Sequence, residues 1–205
     1  MNQKIIINAD DFGLCDGVNR GIVQAHRHGV LTSATLMANM PAAEQAVQIA
    51  KDNPSLAVGL HLNLTEGKAL TPAAEIPPLA DKQGQFLHSG EKLAVLSLVS
   101  ADVRQAIYRE LDAQVRWIIE RGIKPTHIDS HKHIHCFPSI YAIVCRIAKQ
   151  YLIPAIRFPF EPKAAVSDAW PKADSAGKRR ARILRIFTRI NRIQNSDYIH
   201  NSALF

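Results

Sequence analysis

Apolar positions recur along this chain in two rhythms, one of short unbroken runs and one of three-to-four spacing, and the two alternate. Ile5, Ile6 and Ile7 make a short apolar run stopped by Asn8 and the Asp10-Asp11-Phe12-Gly13 stretch, which predicts a buried strand feeding a loop. A helix is expected next, with Asp16 able to cap it and Val18, Ile22, Val23 and Ala25 as its inward stripe. Residues 31 to 40 predict a second strand ending at Pro41, residues 42 to 52 an alanine-rich helix, and LAVGLHLNL at 56 to 64 a third strand. Gly67, Pro72, Pro77, Pro78, Gly84 and Gly90 predict a long excursion with little regular structure over residues 65 to 95, the kind of segment that often covers a site. A helix over 101 to 121 stops at Gly122, and a strand over 126 to 134, a helix over 141 to 150 and a strand over 155 to 158 follow. Such alternation predicts an α/β fold whose parallel sheet, with right-handed crossovers, is open or closed into a barrel.

Composition narrows the classes. At 205 residues and 47% hydrophobic content the chain can bury one ordinary core, so a single domain over 1 to 205 is expected. MNQKIIINADD lacks the apolar stretch of a secretory signal, which places the protein in the cytoplasm. Cys15, Cys136 and Cys145 show no C-x-x-C spacing and argue against a disulfide framework or a zinc knuckle. The net charge of +7 equals the seven cations of residues 178 to 192, so the basic character is confined to one segment.

Candidate chemistry lies at three predicted strand ends, where ligands gather in such folds. Asp10 and Asp11 follow the first strand, His61 lies within the third, and THIDSHKHIH puts His127, Asp129, His131, His133 and His135 at alternate positions, one face of a strand. An isolated Asp-Asp is usually a turn or cap, and a histidine between leucines is usually core. Four histidines on one strand face are costly to bury without partners. One metal cannot use them all, since an open catalytic site takes about three protein ligands, commonly two histidines and a carboxylate. Convergence of Asp11, His61 and His131 would bring a water's pKa towards neutrality, with Asp10 available as general base.

The stretches NADDFGLCDGVNRGI, LTSATLMAN, PSLAVGLHLNLTEGKAL and KPTHIDSHKHIHCFP, in that order over residues 5 to about 160, resemble the YdjC-like carbohydrate deacetylases. That family includes chito-oligosaccharide deacetylases and a hopanoid-associated branch. The resemblance implies a distorted β/α barrel and a Mg²⁺ or Zn²⁺ ion held by Asp11, His61 and His131. It also implies Asp10 as general base, and removal of an N-acetyl group from an amino sugar. The family's later His-Pro element has no counterpart here, and DYIHNSALF is similar to one of its mid-sequence segments, so a chain lacking the family's C-terminal portion is expected, with the general acid unassigned.

Arg182, Arg185, Arg189 and Arg192 run beside Ile183, Ile186, Ile190 and Ile193 at helical spacing. The segment 178 to 193 therefore predicts an amphipathic helix, either a solvated cationic face over packed apolar residues or a peripheral contact with the anionic inner membrane face. Membrane contact would suit a lipid-linked, hopanoid-type N-acetylglucosamine. Soluble chito-oligosaccharide is the alternative substrate, and a non-catalytic sugar- or metal-binding remnant the alternative role. Nucleic-acid binding is disfavoured because the segment matches no recognisable nucleic-acid-binding module. An incomplete barrel would have reason to pair as a homodimer. Arg157 and Glu161 could approach the substrate or form a surface ion pair, Trp117 reads as core, and His88 takes no role.

Overall fold

The computed structural model describes residues 5–157. Four strands, β1 (Asn8–Phe12), β2 (Ser33–Leu36), β3 (Ala57–Leu62) and β4 (Ile128–Ser130), form one parallel sheet in the order β1-β2-β3-β4. The order never reverses, as in a barrel wall, whereas a doubly wound sheet turns back at a switch point. Ile156 adds a parallel bridge to Ile128 where a strand is expected from 155, and Phe158 lies outside the described residues.

Helices α1 (Asp16–His28) and α2 (Ala43–Asp52) connect the first three strands. The crossover from β3 to β4 carries α3 (Gly90–Val99) and α4 (Ala101–Glu120), and α5 (Pro138–Gln150) follows β4. Leu36, Leu60, Leu62 and Ile128 of the sheet are buried with Ile22, Val47, Ile107, Leu111, Val115, Ile118 and Val144 of the helices. Each such side chain removed from water is worth about 1.5–3 kcal/mol, and this layer fixes where the strand ends stand. None of the described helices is long and apolar enough to cross a membrane.

The structure departs from the sequence pattern in four places. The first strand is displaced: Ile5 and Ile6 are 67% and 69% exposed, and the pairing carries the Asp-Asp-Phe residues themselves. In α1 the cap position is Cys15, Asp16 is the first helical residue, Ala25 is exposed, and the buried residues are Asn19 and Ile22. Asn19 replaces an apolar contact with polar ties to Gly13 N (2.7 Å) and Ala42 O (3.0 Å), so a periodicity search passes over it. The excursion contains α3, capped by Ser89, whose side chain accepts from Lys92 N. Its apolar LAVLSLV stretch has no clear helical stripe.

The fourth departure touches the chemistry. The expected strand over 126 to 134 is only Ile128–Ser130, after which His131–Cys136 coils into a tight turn. Lys132 and His133 hold left-handed φ values of 56° and 54°. Ser130 locks the turn, its hydroxyl accepting from His135 N at 3.0 Å and meeting His135 Nδ1 at 2.5 Å. Residues 127, 129, 131, 133 and 135 therefore do not share one strand face.

Candidate metal centre

Adjacent strand residues ordinarily point to opposite faces, so Asp10 and Asp11 could not both serve one site on a regular β1. The pairing of β1 with β2 shifts register between Ala9 and Phe12, and Asp11 adopts φ 62°, a region Asp tolerates better than most residues. This bulge turns both carboxylates towards His61 of β3. The chain then leaves through Gly13, whose φ of 96° and close approach to Met37 O and Ala43 leave no room for a side chain.

Asp11 Oδ1 lies 3.2 Å from His61 Nε2 and 3.0 Å from His131 Nδ1. Three ligands about 2.1 Å from one ion, at tetrahedral or octahedral angles, stand roughly 3.0–3.4 Å apart. Within the described residues two groups have ligand atoms close enough for an ion, Asp11-His61-His131 and Asp10-His61-Asp129. The first joins the ends of β1, β3 and β4, and its donor set of two imidazoles and one carboxylate fits an open divalent site. In the second, Asp129 is fully buried and already committed to other partners, so it acts behind the centre rather than in it.

Asp129 supports the centre through His61. Its Oδ1 accepts from Nδ1–H of His61 at 2.6 Å, which turns Nε2 towards Asp11 and His131. Thr35 donates to Asp129 Oδ2 at 3.1 Å, and Arg157 reaches the same oxygen at 3.1 Å. Burial opposes ionisation of Asp129, but the hydrogen bond and charge of His61, with Arg157, hold its carboxyl down at about 2. Burial likewise opposes the charge on His61, yet hydrogen bonds to Asp11 and Asp129 push it up to about 9. The His61 hydrogen bond also holds Asp11 below the usual carboxylate range against partial burial.

Asp10 is clamped through one oxygen, Oδ1 accepting from Arg157 at 2.7 Å and from Asn8 Nδ2 at 2.9 Å. Arg157, expected as a substrate contact or a surface ion pair, instead bridges Asp10 and Asp129 with its side chain 15% exposed.

The remaining histidines are scaffold or lining. His127 packs its ring over Gly59 and meets Thr126 Oγ1 at 2.8 Å, while His135 is fully buried between Ser130 and Arg157 O. Burial pushes His135 down to about 4, and lowers His127 and His133 as well. His88 bonds the Pro78 carbonyl, and Trp117 packs partly buried against the core beneath Arg121. Glu161 and the basic segment 178 to 193 lie outside the described residues. Asn8, Thr35 and Glu66 have no signature in the sequence, because their roles arise only when strands far apart in the chain become neighbours.

The sequence model of a family described as YdjC-like protein matches residues 4–202. A protein of Brevibacillus brevis named carbohydrate deacetylase is 48% identical over 158 residues, covering 77% of this chain and 60% of its own length. One of the same name from Geobacillus stearothermophilus is 48% identical over 154 residues, covering 75% and 59%. Among solved structures, a protein of Enterococcus faecalis V583 described as a candidate cellobiose-phosphate cleavage protein superimposes with a TM-score of 0.67. It is 35% identical and covers 77% of this chain and 59% of that one. The chain thus spans about three fifths of the length of the curated relatives it matches.

Proposed function

This chain belongs to the YdjC-like protein family, and from that premise we propose that it is a divalent-metal-dependent hydrolase that removes the acetyl group from an N-acetylated amino sugar. The observation that carries the reading is the meeting of Asp11, His61 and His131 at the ends of β1, β3 and β4 of one sheet, with Asp10 beside them. A divalent ion held there, Mg²⁺ or Zn²⁺, supplies Lewis acidity, lowering the pKa of water and polarising an amide carbonyl. Asp11, His61 and His131 fix the position of that charge. Asp129 orients His61 and Thr35 orients Asp129, so little reorganisation is needed during reaction. Asp10, clamped through one oxygen by Arg157 and Asn8, takes the proton from the attacking water on the other. Acetate and the free amine leave, and the group that protonates the amine is unassigned.

The finer reading of the substrate is a lipid-linked, hopanoid-type N-acetylglucosamine, supported by the cationic and apolar stripes of residues 178 to 193. On that reading the protein works in the cytoplasm against the inner membrane face. A soluble chito-oligosaccharide, with diacetylchitobiose as its test compound, is the second reading, and it falls within the carbohydrate class that the relatives' names give. Acetate release from both compounds, by protein stripped of metal and then given Mg²⁺ or Zn²⁺, ranks them. Release from neither, by protein that binds the ion, would contradict the deacetylase and favour a non-catalytic metal- or sugar-binding role.

A further inference from the structure

His61 has Asp129 behind it to fix which ring nitrogen faces the centre, and His131 needs an equivalent. Its Nδ1 faces Asp11 at 3.0 Å, and its Nε2, on the opposite side of the ring, is buried without a well-aligned hydrogen bond and lies 3.3 Å from Oε2 of Glu66. The other oxygen of Glu66 meets Lys132 Nζ at 2.5 Å. We propose that Glu66 is a positioning residue of the metal centre, accepting the Nε2 proton of His131 so that the Nδ1 lone pair is presented to the ion. The proposal rests on the reading of Asp11, His61 and His131 as ligands.

The backbone at Glu66 is held in place, which fixes where its side chain starts. Fully buried Asn63, one residue beyond β3, accepts from Thr65 N at 3.0 Å and Glu66 N at 3.2 Å through its Oδ1. Its Nδ2 donates to Glu66 O at 2.7 Å, and Asn39 Nδ2 donates to the same carbonyl at 3.1 Å. A residue on a loop is thereby fixed from both sides of its peptide. Across the gap, the left-handed Lys132 gives Glu66 a second, charged partner that restricts its rotamers. Imidazole ligands are commonly oriented by a carboxylate on the far nitrogen, and losing such a partner costs roughly 10–100-fold in metal affinity.

Calorimetric titration of the metal-stripped full chain with Zn²⁺ tests this in wild type and in the variants Glu66→Gln, Glu66→Ala and His131→Ala. Glu66→Ala should bind about 10–100-fold more weakly, and Glu66→Gln, whose amide oxygen still accepts the proton, within about threefold of wild type. Nitrogen NMR of the Zn²⁺-loaded protein gives a readout that mere loop support would not move. The His131 signals should report Nδ1 on the ion and a protonated Nε2 in wild type and Glu66→Gln, and a mixture of the two tautomers in Glu66→Ala. Unchanged affinity or tautomer in Glu66→Ala, or a Glu66→Gln as weak as Glu66→Ala, would overturn the proposal. If His131→Ala bound Zn²⁺ as tightly as wild type, the ligand reading itself would fail.

Discussion

An ion bound through Nε2 of His61 must displace the proton that this nitrogen shares with Asp11 in the metal-free protein. Burial alone would drive that proton off, but the hydrogen bonds to Asp11 and Asp129, with the charges of Asp129 and Asp10, push His61 up to about 9. Neutral pH lies about two units lower, so only ~1% of metal-free molecules carry the neutral ring, and apparent affinity is weakened on the order of 100-fold. Affinity should therefore rise about tenfold per pH unit between roughly 6.5 and 8.5 and level off above about 9. Stability of the metal-free protein should move the opposite way. A folded pKa raised above the reference 6.5 contributes stability that is full below about 6.5 and lost as pH rises through about 9, at most ~3 kcal/mol. Calorimetry in buffers of different ionisation enthalpy counts the protons, with about one released per ion near pH 7.5 and close to none above pH 9. Affinity that is flat in pH, with no proton released, would refute the assignment of His61 as a ligand.

Four further outcomes follow from the geometry. Asp11→Asn and His131→Ala should lose metal retention after gel filtration, whereas Asp10→Asn should keep the ion and lose at least ~100-fold in kcat; normal turnover by Asp10→Asn would remove it as the base. Asp129→Ala leaves His61 Nδ1 and Arg157 without their buried carboxylate, which should destabilise the fold by about 3–5 kcal/mol in urea titration and weaken metal binding as well. Asn19→Ala strands the buried Gly13 N–H, at a cost of about 1–3 kcal/mol seen as a lower urea midpoint. Gly59→Ala would set a Cβ 2.5 Å from the His127 ring, and an overpacking loss of about 1–3 kcal/mol would establish that ring as scaffold; a neutral effect would show that it moves freely.

The alternation of apolar runs with helical stripes was enough to recover α2, β3, α4 and α5 to within a few residues, because their inward faces follow the regular periods of strand and helix. It misplaced β1, since Ile5 and Ile6, which look like a core strand, are exposed, while a strand through Asp10 and Asp11 needs a bulge that no periodicity encodes. It also read five alternating residues after Thr126 as one strand face. The chain instead leaves the strand after Ser130, where the hydroxyl lock on His135 and two left-handed residues make a turn. The candidate ligands survive that error because His131 sits at the first position of the turn, still at the strand end, facing Asp11. What lay beyond reading was the support behind them. Asp129 to His61, Arg157 to Asp10 and Glu66 to His131 are pairs 65 to 147 residues apart, made neighbours only by the strand order.

The central claim is that Asp11, His61 and His131 hold the working ion, and anomalous diffraction from crystals soaked in Mn²⁺ or Zn²⁺ tests it most directly. One strong peak ligated by Asp11, His61 Nε2 and His131 Nδ1 is expected, absent from His131→Ala crystals under the same soak. A peak on other residues, or no peak in a protein whose acetate release depends on that ion, would contradict it.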